Sequence, residues 1–183
     1  MSQFKLVNSH EPSPGDGTPP AEFTLNAKPS TDVWSKPPST HSFNAPILYQ
    51  SVPLQSFKRA RVAFNALWQK QYDQGGLIIV LNAANGGKKW VKAGIELTHG
   101  KPHLSVVAKD RWADWSLLPL VREVDDSLWI YLVEGVQKSP IREVTWLFQE
   151  DVQECWVGVY AARPSADGGE LPVNFGHLMI DLA

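Results

Sequence analysis

The chain has 183 residues and a mass of 20.4 kDa, enough for one domain with a sizeable core. A hydrophobic share of 43%, a charged share of 20% and a net charge of −2 point to a globular protein with no global basic field, which argues against a nucleic-acid partner. No apolar run approaches the roughly 18 residues that span a bilayer, so no membrane partner is expected.

The elements read in chain order are almost all extended. "FKLVN" (Phe4 to Asn8) suits a first edge strand, and "SHEPSPGDGTPP" (Ser9 to Pro20) is a Pro/Gly loop. "EFTLNA" and "DVWSK" read as short strands, and "KPPSTHSFNAP" (Lys36 to Pro46) reads as a second breaker-rich loop. "ILYQSV", "FKRARVAFNAL" and "GGLIIVLN" follow as strands, with room for one helical turn within "FNALWQKQYDQG". Asn-Gly and Gly-Gly supply the positive φ of a hairpin turn in "NAANGGKK". "WVKAGIEL", the turn "THGKPH", "LSVVAK", "WSLLPL", "LWIYLV", "VTWLFQ", "CWVGVYAA" and "FGHLMIDL" complete the series. About a dozen strands at short spacing, without a long amphipathic helix, predict an all-β antiparallel sandwich with little helix, formed by residues 1–183 as a single domain.

Several motifs carry no chemistry of their own. "NGGKKW" lacks the spacing of a phosphate loop and leads into a strand. His99 and His103 are four apart, but Gly100 and Pro102 make their segment a turn, so no metal and no cofactor are expected. Cys155, the only cysteine, reads as a small buried residue, and "KRAR" (Lys58 to Arg61) as a solvated edge. One cysteine, no apolar leader at the N-terminus and no glycosylation sequon together give the expectation of a cytoplasmic protein.

The strand "WVKAGIEL" (Trp90 to Leu97) is different. Alternation places Val91, Ala93, Ile95 and Leu97 on one face, an ordinary core surface. The other face carries Trp90, Lys92, Gly94 and Glu96, an indole, an ammonium and a carboxylate in a row. Lys92 and Glu96 lie roughly 13 Å apart along the strand, so each needs a partner on another strand or on a ligand. A hairpin through "THGKPH" adds Ser105 to the same face. Aromatic rings stacked on a sugar, with charged and amide groups bonding its hydroxyls, account for this mixture. "YDQGGL" (Tyr72 to Leu77) and "DWS" (Asp114 to Ser116) supply further polar groups near strand ends.

"YDQGGL", "WVKAGIE", "PHLSVV" and "DWSLLPL", in this order, resemble the family named after the yeast regulation of enolase protein. "DVWSKP" and "ILYQSV" upstream, and "VGVYAARP" and "FGHLMIDL" downstream, extend the resemblance over Phe23 to Leu182. It departs from the family pattern between Arg122 and Glu154, at Gly76, where the family usually has Ala, and at Arg163, where it usually has Ser. The resemblance implies a concanavalin A-like jelly roll of the lectin/glucanase superfamily. It also implies pocket residues Trp34, Tyr49, Gln74, Trp90, Lys92, Glu96, Ser105, Asp114 and Trp115, with no established catalytic set.

Three functions follow as expectations. The first is a cytosolic protein that binds a carbohydrate or metabolite, with a regulatory role in sugar metabolism. Its ligand would be a small polyhydroxylated compound, neutral or mildly anionic, stacked between Trp90 and Trp115, with Lys92 favouring an electron-rich oxygen. The second is an enzyme acting on glycans or sugar derivatives with Glu96 as acid or base; the E-x-D-x-E pattern common in glucanases of that fold is absent, so a second carboxylate would come from Asp73, Asp114 or another strand. The third is a protein-interaction module using a sheet edge.

Overall fold

A computed structural model describes residues 3–12, 21–82, 86–120, 128–133 and 141–183. Thirteen strands are described: β1 (Phe4–Val7), β2 (Glu22–Ala27), β3 (Val33–Lys36), β4 (Thr40–Phe43), β5 (Ile47–Pro53), β6 (Phe57–Ala66), β7 (Gln74–Asn82), β8 (Lys88–Thr98), β9 (Lys101–Lys109), β10 (Ala113–Pro119), β11 (Leu128–Val133), β12 (Glu154–Ala162) and β13 (Leu171–Leu182). Among the described residues two short 3₁₀ turns interrupt them, at Leu54–Ser56 and Leu147–Gln149.

The strands form an antiparallel β-sandwich. Seven make the large sheet, in the order β1-β5-β12-β7-β8-β9-β10, and four make the small sheet, β11-β6-β13-β2. The alternation read in the sequence is the alternation observed. Val91, Ala93, Ile95, Val106 and Ala108 join Leu48, Leu77, Ile79, Val157 and Val159 in the main apolar core, with Val62, Phe64, Val173 and Phe175 of the small sheet. Trp90, Val107, Ile78, Val80, Ile47, Tyr49 and Tyr160 belong to a second apolar cluster on the opposite face of the large sheet. The large sheet is therefore buried on both faces, which explains why "GLIIVL" is a continuous apolar run.

The cover over this second face is the β3–β4 hairpin, a two-stranded sheet whose Val33 packs into the second cluster. Here the structure corrects the sequence reading, since β4 lies within a stretch read as loop. Pro37 and Pro38 are accommodated in the tight connection between β3 and β4, outside the ladder where a missing N–H would matter. Two further differences are local. "VTWLFQ" is not a strand but ends in the second 3₁₀ turn, whose Leu147 seals the core. Residues 67–73 hold a turn but no helix. At "THGKPH", His99 and Gly100 take φ of 52° and 72°, and Thr98 pairs with Lys101 across a two-residue hairpin loop. The turn residues 83–85 and most of the first Pro/Gly loop lie outside the described residues.

Cys155 is fully buried in the main core, and burial pushes its thiol up to about 12, so it stays a thiol. Arg59 of the basic cluster pairs with Asp181 on β13. Among the described residues, no helix is long and apolar enough to cross a membrane.

The two-sided burial sets a stability contrast. Ile95→Ala, at a site 4% exposed in the main core, will lower the unfolding free energy by about 2–5 kcal/mol. Leu118→Ala, at a site 51% exposed on the edge strand β10, will change it by about 0.5 kcal/mol or less. Urea melts of the two variants check both values.

Candidate functional site

The register of the large sheet builds the floor of a cavity. β7 and β8 pair Gln74 with Glu96, Gly76 with Gly94, and Ile78 with Lys92. β8 and β9 pair Gly94 with Ser105 and Lys92 with Val107. All of these residues except the glycines project from the same face of the sheet. A Cβ on Gly94 would fall 2.0 Å from the Gly75 carbonyl oxygen, so only glycine fits there. With Gly76 opposite Gly94, the floor lacks side chains between the Gln74–Glu96 pair and the Ile78–Lys92 pair.

The hairpin supplies one wall. Trp34 faces Ser42 and Lys36 faces Thr40 across β3 and β4, and Asp32 stands just before β3. Together with Tyr72, Trp115 and the floor they enclose a cavity of about 440 Å³. Trp115 is the central ring. Trp34 lies 6.1 Å from it at 79°, and Tyr72 lies 6.1 Å from it at 76°. Both are edge-to-face contacts.

Charge is buried beneath these rings. Lys92 is 2% exposed, and its ammonium donates to Gln74 Oε1 at 2.5 Å. The same Nζ lies 3.7 Å from Asp32 Oδ1, 5.7 Å from the Trp90 ring centroid and 5.5 Å from that of Tyr160. Gln74 Nε2 donates to Asp32 Oδ1 at 3.3 Å and to the Tyr72 carbonyl at 3.2 Å, and the Val33 N–H donates to Asp32 Oδ1 at 2.7 Å. On the other side Glu96, 5% exposed, accepts from Ser105 Oγ at 2.8 Å and from Trp115 Nε1 at 3.1 Å, both at Oε2. Burial lowers the pKa of Lys92, against the pull of Asp32 and Glu96. Burial raises the pKa of Glu96, against the pull of Lys92 and the hydrogen bonds from Ser105 and Trp115.

One ion pair holds the rim in place. Asp73, fully buried between Tyr72 and Gln74, accepts from Arg163 Nε at 2.8 Å and Nη2 at 2.7 Å. It also accepts from the Gln69 and Lys70 N–H groups. The Arg163 carbonyl accepts from the Thr31 N–H, and the Arg163 N–H donates to Thr31 Oγ1, next to Asp32. Tyr72 takes a left-handed φ of 68°, held by its N–H to the Leu97 carbonyl at 2.7 Å.

Of the residues named from the sequence, Trp34, Gln74, Lys92, Glu96 and Trp115 line the cavity, and Ser105 bonds Glu96 from below. Three stand elsewhere. Trp90 is on the expected face but only 2% exposed, beneath Lys92, so its ring is floor and is not open to stacking. Tyr49 is also on that face, two strands away on β5, stacked on Trp156 at 4.1 Å. Asp114 precedes Trp115 and so points to the opposite face, where it pairs with Arg142. Asp73, named as a possible second carboxylate, is consumed by Arg163. The carboxylate that joins Glu96 in the cavity is Asp32, which sequence reasoning missed along with Lys36, Thr40 and Ser42, while Tyr72 comes from the segment "YDQGGL" that it had singled out. The available signal was the period-two series Asp32, Trp34, Lys36.

Two measurements test this electrostatic arrangement. Arg163→Ala leaves the Asp73 carboxylate buried and unpaired and will cost about 3–5 kcal/mol in a denaturant melt. Glu96 binds its proton more tightly in the folded than in the unfolded chain, so its contribution to stability is present at low pH and is lost as pH rises from about 4.5 through the raised folded value. Glu96→Gln lacks this loss. Its melting temperature relative to wild type will therefore climb across that window, and a difference independent of pH would contradict the assignment.

Comparison with known proteins places the chain among proteins of this fold. It is 64% identical over 194 aligned positions to an uncharacterized protein of Emericella nidulans, AN7484, covering 100% of this chain and 97% of that one. A crystal structure of a functionally unknown protein from Saccharomyces cerevisiae superposes with a TM-score of 0.73 at 20% identity, over 99% of this chain and 97% of that one. At that identity the likeness speaks for the fold alone. Residues 10–181 match the family described as "Protein of unknown function (DUF1349)", and the chain belongs to that family.

Proposed function

We propose that the protein binds a small polyhydroxylated ligand, a sugar or a sugar derivative, in the cavity between the β3–β4 hairpin and the large sheet. The observation that carries this reading is the cavity's composition. Aromatic walls from Trp34, Tyr72 and Trp115 stand with half-buried Asp32 over a buried polar floor of Gln74, Lys92 and Glu96. Rings offer apolar faces for C–H surfaces, and fixed carboxylates accept hydrogen bonds from hydroxyls, which is the division of labour a polyol requires. A volume of about 440 Å³ falls within the roughly 300–1,000 Å³ range of small-molecule sites. The resemblance to the concanavalin A-like superfamily supports the same ligand class. The regulatory role in sugar metabolism rests on the resemblance to the enolase-regulation family alone, and the cytoplasmic setting on the single cysteine and the absence of a leader-like apolar run or a glycosylation sequon.

A second reading, an enzyme, has one observation in its favour. Burial moves Glu96 up and Lys92 down, each toward its neutral form, within one cavity that also holds Asp32. Two titrating groups displaced in this way suit proton transfer. Turnover of a bound sugar that disappears in Glu96→Gln, with binding kept, would favour the enzyme over the binder.

Tryptophan fluorescence titration with a panel of mono- and oligosaccharides tests the first reading. Binding will quench emission, and Trp34→Ala will weaken it by about 1 kcal/mol or more, as expected for truncating an aromatic anchor. A ligand that binds wild type and Trp34→Ala equally well lies outside this cavity, and a protein partner captured equally by both would favour the interaction-module reading.

A further inference from the structure

The hydrogen bonds of the floor sort its groups into those already engaged and those left for a ligand. Each donor group of the floor has a partner within the protein. Trp115 Nε1 serves Glu96 and Ser105, Ser105 Oγ serves Glu96, and Gln74 Nε2 serves Asp32 and the Tyr72 carbonyl. The Lys92 ammonium is held by Gln74, with Asp32 and two rings around it, and is almost wholly buried. Two acceptors are left over. Both bonds to Glu96 end on Oε2, and the bonds to Asp32 end on Oδ1. Glu96 Oε1 and Asp32 Oδ2 accept from no described residue, although Glu96 is 5% exposed and both side chains line the cavity. The charge count agrees. Two carboxylates face one buried ammonium, and the cavity's other cation, Lys36, is an exposed residue on the hairpin wall. Three rings line the same cavity, with Trp34 and Tyr72 both edge-on to Trp115. Aromatic faces together with carboxylate oxygens form a receptor for a cation.

We propose that the cavity recognises a protonated amine carried on its polyhydroxylated ligand, an amino sugar, with the ammonium bonded to Asp32 Oδ2 and Glu96 Oε1 among the rings of Trp34, Tyr72 and Trp115. This rests on the polyol reading above and reverses the ligand charge expected from Lys92, because the Lys92 ammonium is almost wholly buried, bonded to Gln74 and beside Asp32. The ligand's ammonium supplies the second positive charge that the two carboxylates lack, and its N–H groups reach the acceptors that the floor leaves open.

The test compares glucosamine, glucose, glucose 6-phosphate and ethanolamine by calorimetry and tryptophan quenching, at a pH where the amines are protonated. Wild type will bind glucosamine about tenfold or more tighter than glucose, the scale of one charge-assisted contact in a partly desolvated site. In Asp32→Asn and in Glu96→Gln, each first shown to melt cooperatively, the ratio of glucosamine to glucose affinity will fall at least several-fold. Equal binding of glucose and glucosamine by wild type, or a preference for glucose 6-phosphate, would overturn the amine inference and leave the polyol reading standing. Ethanolamine binding as tightly as glucosamine, with no response to glucose, would uphold the amine and remove the polyol. No response to any of the four up to their solubility limits would overturn both.

Discussion

The pairing of Asp73 with Arg163 is the interaction on which the rest of the site depends. Asp73 is the last residue of the connection that leads from β6 into β7. Its carboxylate gathers two backbone N–H groups and a bidentate guanidinium, four bonds in all. Arg163 in turn ties this point to the backbone beside Asp32 through Thr31. One buried pair thus fixes three segments that are far apart in sequence: the Tyr72–Gln74 corner, the end of β12 and the start of the hairpin. The wall and the floor of the cavity are held relative to each other by that pair. A buried ion pair is weak evidence for net stability, but removal of one partner is costly, so such a pair acts as a locator more than as a source of stability.

Much of the fold was legible because strand alternation is a local property. Val91, Ile95, Val106 and Ala108 fall on the core face, and Trp90, Lys92, Glu96 and Ser105 on the other, as a period of two requires. The hairpin of β3 and β4 was half missed, because Pro37, Pro38 and the polar run after them carry loop signals while the pairing of Trp34 with Ser42 depends on the surface that the hairpin covers. Likewise "VTWLFQ" has strand composition, but its apolar residues are used to close the core from a 3₁₀ turn.

The site was less legible than the fold for a related reason. Parity tells which face a residue occupies but not what lies above it. Trp90 and Trp115 share the outer face of the large sheet, yet one is covered and the other borders the cavity. Asp32 lies in a segment whose contact with Lys92 spans sixty positions of sequence and exists only because the hairpin folds back over β7 and β8. A reading along the strand therefore found Glu96 and Lys92 but assigned their partners to the wrong places. Asp114 was excluded by parity itself, since its neighbour Trp115 already takes the cavity face.

The chemistry of the floor follows from placing charge where water is scarce. An ammonium and two carboxylates cannot all be fully solvated in a sheet buried on both faces, so each has to be answered by a fixed dipole or by another charge. Gln74 answers Lys92, and Ser105 with Trp115 answers one oxygen of Glu96. What is left over is one oxygen on each carboxylate, and burial raises the Glu96 proton affinity against the pull of Lys92 and its two hydrogen bonds. A core built for stability alone would have no use for that remainder, since apolar residues of similar volume would fill the space without a desolvation penalty. The unanswered oxygens are therefore best understood as part of a binding surface, completed from outside by donors that the chain does not itself supply.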